Sequence, residues 1–119
     1  LVMDSWLSFN FANFEMIEFP KFYFISNNTP NFGNEAMKDF REQFYKENLI
    51  LPSLNSILGN ELIYLIHTNQ NQGGNLRNGL NSRSYQPGKL TFGFNFQNSN
   101  YNQFSPILKL ENGELIPLN

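Results

Sequence analysis

Leu62-Ile63-Tyr64-Leu65-Ile66 is the longest apolar run in the chain, and its reading decides the fold. The run is short, uncharged and apolar on both faces. That is the pattern of a central β-strand covered from two sides. Residues 68–88 follow as a long polar loop with a Gly-Gly, an Asn-Gly and a Pro-Gly, in which residues 75–80 could form one helical turn. Loops of this length inside a compact domain are uncommon and often functional.

Beyond the loop, residues 89–97 alternate. Leu90, Phe92, Phe94 and Phe96 share one face of a strand, and Thr91, Gly93, Asn95 and Gln97 share the other. Residues 106–110 and 115–118 flank Asn112-Gly113, the dipeptide best suited to a type I′ hairpin turn because both positions take positive φ. Before the central run, Pro52-Ser53 opens a short helix holding Leu54, Ile57 and Leu58, closed by Gly59. Earlier still, Asn34 reads as an N-cap for a main helix carrying Met37, Phe40, Phe44 and Tyr45 at helical spacing and ending near Asn48. Lys38/Glu42 and Glu42/Lys46 are favourable pairs on that helix. Near the start, Leu7, Phe9 and Phe11 alternate as a strand. A second strand is expected at 14–19 or 21–25, with Pro20 breaking the run. The expected fold class is α+β, an antiparallel sheet of roughly five to six strands packed on one main helix and a short second helix. The expected organisation is one domain over 1–119 with the long loop at 68–88.

Composition supports a globular chain. Thirteen Phe supply an aromatic core, while charged residues are only 15% and Asn occurs twenty times, giving a surface solvated by amides. The absence of cysteine excludes disulfides, thiolate metal sites and a Cys nucleophile. No apolar run is long enough to span a bilayer and the start lacks signal-peptide character, which favours a cytoplasmic protein without a membrane partner.

Charge is distributed unevenly. Residues 1–61 hold eight acids against four bases, and no Asp or Glu occurs between Glu61 and Glu111. His67, Arg77, Arg83, Lys89 and Lys109 fall within that interval. Unopposed cations attract anions. Arg77 and Arg83 suit bidentate contact with phosphate, and glycine-rich turns can present backbone N–H groups to an anion. Solvated loop arginines are an equally good reading of the same pattern. Tyr85 offers a ring for stacking or a hydroxyl for hydrogen bonding, and Lys89 further charge.

His67 is the single histidine and the side chain best suited to acid–base work at neutral pH. Its ordinary alternative is a strand-end histidine bonded to a loop carbonyl. On a strand, Glu61 and His67 would share one face about 20 Å apart, too far for a dyad. Nothing beside His67 supplies a second metal ligand of the usual kind, and the glycines match no nucleotide-binding fingerprint, so neither a metal nor a cofactor is expected.

Two resemblances touch this region. The order helix, short helix, strands, with His, Arg, Ser and Tyr late in the chain, resembles small ribonuclease toxins at the level of topology. His67-Thr68 with Asn78-Gly79-Leu80 resembles the His-Gly-Thr … Gly-Leu opening of ADP-ribosyltransferase-like domains, but lacks the glycine after histidine. Neither assigns the chain to a family.

The leading expectation is a small binding domain that engages RNA or another phosphate-bearing ligand through residues 62–110, using Arg77, Arg83, Tyr85 and Lys89. A protein-interaction module (inhibitor, immunity protein or accessory subunit) acting through the acidic N-terminal half is the alternative. A minimal metal-independent ribonuclease with His67 as its catalytic group is the third. The sequence leaves the oligomeric state open.

Overall fold

The structure, a computed structural model, describes residues 1–3, 23–26, 30–70 and 74–118. The expected strands at 7–11 and 14–19 lie outside the described residues. The chain divides into two compact units, one of residues 1–27 with 105–119 and the other of residues 28–104.

The first unit holds a four-stranded sheet in the order β1 (Val2–Met3), β2 (Phe24–Ile25), β3 (Ile107–Glu111), β4 (Glu114–Pro117). The β2–β3 and β3–β4 pairs are antiparallel, whereas β1 lies parallel to β2. Asn112 and Gly113 take φ of 52° and 79°, the double positive φ that makes Asn-Gly a tight hairpin turn. Glu111 and Glu114 pair across its mouth, with Leu108 and Leu110 buried on one face beside Phe24.

The second unit is helical. Helix α1 spans Glu35–Asn48. The Asn34 side-chain oxygen accepts from the Ala36 N–H at 3.0 Å, and Leu49 closes the helix in the left-handed region, its N–H donating to the Tyr45 carbonyl. Helix α2 spans Leu54–Gln70, and helix α3 spans Leu76–Asn81 with Asn75 as its cap. Met37 of α1, Ile57 of α2 and Leu90 form a small core, with Phe40 packed against them.

The expected fold class is therefore corrected in its sheet and in its helices. Residues 62–66 are not a central strand but the middle of the longest helix among the described residues. Periodicity alone cannot separate a short apolar strand from a buried helix segment. Here Ser53 starts the helix, its hydroxyl accepting from the Ser56 N–H at 3.2 Å, and the chain continues through Gly59. The buried stripe is Ile57, Glu61, Leu65 and Asn69, every fourth residue. Half of that stripe is polar, which hid its period. Leu62 and Ile63 face outward, 56% and 69% exposed.

Residues 89–97 are not a ladder strand either. They make only isolated bridges, Thr91 with Pro30 and Phe94 with Gln86. Gly93 at φ 133° breaks the extended run, and a Cβ there would lie 2.7 Å from the Gln86 carbonyl oxygen. Phe94 and Phe96 still share a side, stacked at 6.1 Å, but Phe92, Phe94 and Phe96 are half-buried rather than core. Four strands are described, not five to six: the expected central strand at 62–66 is helical, and the expected strand at 89–97 makes only isolated bridges.

Candidate functional site

Hollows at two places in the helical unit involve residues singled out from the sequence. The first lies between α3 and the turn that follows Phe96. Leu76, Leu80 and Phe96 form an apolar wall, and Arg77, Asn81, Ser99 and Asn100 line the opening of a groove of about 330 Å³. An adjoining hollow of about 320 Å³ shares Arg77, Asn81, Ser99 and Asn100 and adds Asn98. Local sequence explains the arrangement. Asn75 caps α3, its side-chain oxygen accepting from the Asn78 N–H at 2.9 Å. The Asn98 N–H donates to the Asn81 side-chain oxygen at 2.8 Å, tying the turn to the helix end. Asn98 itself takes φ 54°, a conformation asparagine tolerates better than most residues.

Close approach of α3 to α2 sets where Arg77 stands. A Cβ on Gly79 would lie 2.0 Å from the Asn69 carbonyl oxygen, so the backbones meet where only glycine fits. Arg77 is exposed, and among the described residues no carboxylate lines either hollow beside it.

The second hollow is a cleft of about 380 Å³ along α1, lined by Ala36, Asp39, Phe40, Gln43, Phe44, Glu47, Asn60 and Lys89. It follows from a three-way junction. The buried carboxylate of Glu61, 1% exposed, accepts from the backbone N–H groups of Lys89 at 2.8 Å, of Leu90, and of Thr91 at 3.1 Å. The Asn34 amide donates to the Lys89 carbonyl at 2.9 Å, and the Asn31 N–H to the Leu90 carbonyl at 2.8 Å. Residues 89–91 are thus pinned by their backbone, and the Lys89 side chain is left exposed at the cleft.

The residues singled out from sequence separate. Arg77 lines the α3 groove, whereas Lys89 lines the α1 cleft beside Asp39 and Glu47. The stretch without acids in sequence is therefore not free of acids in space. Tyr85 donates its hydroxyl to the Phe92 carbonyl at 2.7 Å and sets its ring edge-on to Phe104 at 5.0 Å. Arg83 is exposed just beyond α3. His67 is exposed in the last turn of α2 and lines neither hollow. On a helix, Glu61 and His67 are about 9 Å apart along the axis and on different sides, which replaces the strand geometry expected above.

Among the described residues the ion pairs are Lys46–Glu42 at 2.6 Å and Lys109–Glu111 at 3.7 Å. The hydrogen bond and charge of Lys46 hold the Glu42 carboxyl below its ordinary pKa. The groove asparagines and the role of Glu61 were missed in the sequence. The high Asn content was the signal for the former. Nothing local marks Glu61, whose partners lie 28 to 30 residues onward.

Compared with known proteins, the chain matches no family model, no curated protein and no solved structure.

Proposed function

We propose that this domain binds an anionic partner, RNA or another phosphate-bearing ligand, in the groove beside Arg77. The observation that carries the reading is that Arg77 lines a groove whose other polar lining among the described residues is amide and hydroxyl, without a carboxylate. A guanidinium can take two phosphate oxygens at once. Asn81, Ser99 and Asn100 offer hydrogen bonds to sugar and phosphate edges, and Phe96 offers an apolar ring of the kind on which bases stack. Among the described residues the groove lining includes no histidine or carboxylate to serve as general base, which favours binding over cleavage.

The test is fluorescence anisotropy with a short single-stranded RNA over about 50 to 200 mM salt. Arg77→Ala should weaken binding about tenfold and reduce the salt slope by about 0.7, the share of one phosphate contact on a single strand. Affinity indifferent to both salt and Arg77→Ala would remove the proposal.

A further inference from the structure

The α1 cleft holds opposite charges that do not meet. Lys89, Asp39 and Glu47 all line it, yet among the described residues neither acid comes within ion-pair distance of Lys89. Glu47 accepts one hydrogen bond from the Gln43 amide at 3.0 Å, leaving its second oxygen available. The floor is aromatic, with the Phe40 and Phe44 rings 5.9 Å apart and tilted by 51°. The Gln43 and Asn60 amides complete the rim.

We propose that this cleft binds a small zwitterion with an apolar body, either a free apolar amino acid or a short peptide bearing the same two charges at its ends. The carboxylate of such a ligand sits at Lys89, its ammonium at Asp39, and its side chain over Phe40 and Phe44, with Glu47 about two helical turns further along the cleft. The volume suits this class, since sites for small molecules begin near about 300 Å³. Lys89 can serve without cost to the fold, because its structural bonds run through its backbone N–H and C=O. A purely anionic ligand would meet Asp39 and Glu47, and a purely cationic one would meet Lys89. A ligand carrying both charges meets neither repulsion.

The experiment is an amide-resolved NMR titration of the full chain with L-phenylalanine. N-acetylphenylalanine, which lacks the ammonium, phenylalaninamide, which lacks the carboxylate, and phenylalanyl-phenylalanine are the parallel probes. The expected result is shift changes confined to α1, Asn60 and Lys89, with roughly fivefold or greater weakening for each singly charged probe. Asp39→Asn and Lys89→Met should each weaken phenylalanine binding to a similar degree, while Arg77→Ala leaves it unchanged. Tighter binding of the dipeptide than of the amino acid would assign the peptide form. No shifts with any probe, or equal binding of the capped and free forms, would overturn the proposal. The groove beside Arg77 is read out at other residues, so failure here leaves that site independently testable.

Discussion

At the scale of single residues, Glu61 organises the helical unit. Its carboxylate satisfies three backbone donors in succession and sits on the same stripe of α2 as Ile57, which joins the core with Met37 and Leu90. An acceptor-only side chain is required, because every partner is a donor. Glu61→Gln keeps the shape but turns an amide NH₂ toward those N–H groups. It should cost about 1–3 kcal/mol for each donor left unsatisfied, read as a lower denaturant midpoint at unchanged m-value. None of this was visible in the sequence, where Glu61 reads as an ordinary acid before an apolar run. Asn34, by contrast, was legible as a cap from its neighbours alone. Its second bond, to the Lys89 carbonyl, was not, since 55 residues separate the two.

At the scale of elements, legibility followed the range of the interactions. Helix α1, the turn of helix after Asn75 and the Asn112-Gly113 hairpin are set by caps and turn residues within a few positions; the sequence declared the first and the last and only allowed the second. Helix α2 was misread as a short helix and a strand because Gly59 looks like a terminator, and because its buried stripe alternates apolar with polar residues. A Cβ on Gly59 would have nothing within 4 Å, so the glycine there marks open space and not a helix end. Gly79 is the opposite case. Gly79→Ala should drive α3 away from α2 and cost about 1–3 kcal/mol or more. If α3 carries the ligand groove, the same variant should displace Arg77 and weaken RNA binding, with thermal unfolding and anisotropy as the two measurements.

At the scale of the whole molecule, the two units rest on different principles. The sheet unit depends on backbone pairing around one tight hairpin. The helical unit depends on a modest apolar core supplemented by side chains that bond distant backbone, with Asn31 and Asn34 on one side of residues 89–91 and Glu61 on the other. The candidate ligand chemistry was legible as residue types, notably Arg77 and the abundance of amides, but not as an arrangement. Sequence proximity placed Arg77, Arg83, Tyr85 and Lys89 together, whereas folding puts Arg77 and Lys89 in separate hollows.

The clasp between Glu61 and residue 89 also closes a ring of chain, and the entropy of such a ring grows only with the logarithm of its length. Gly74, exposed with nothing near where a Cβ would stand, lies on the circumference of that ring. A dozen flexible residues spliced in between Gly74 and Asn75 should therefore lower stability by only about a few tenths of a kcal/mol, measurable by denaturant titration. The chain thus has room to carry a reporter between its two hollows while both remain open to ligand.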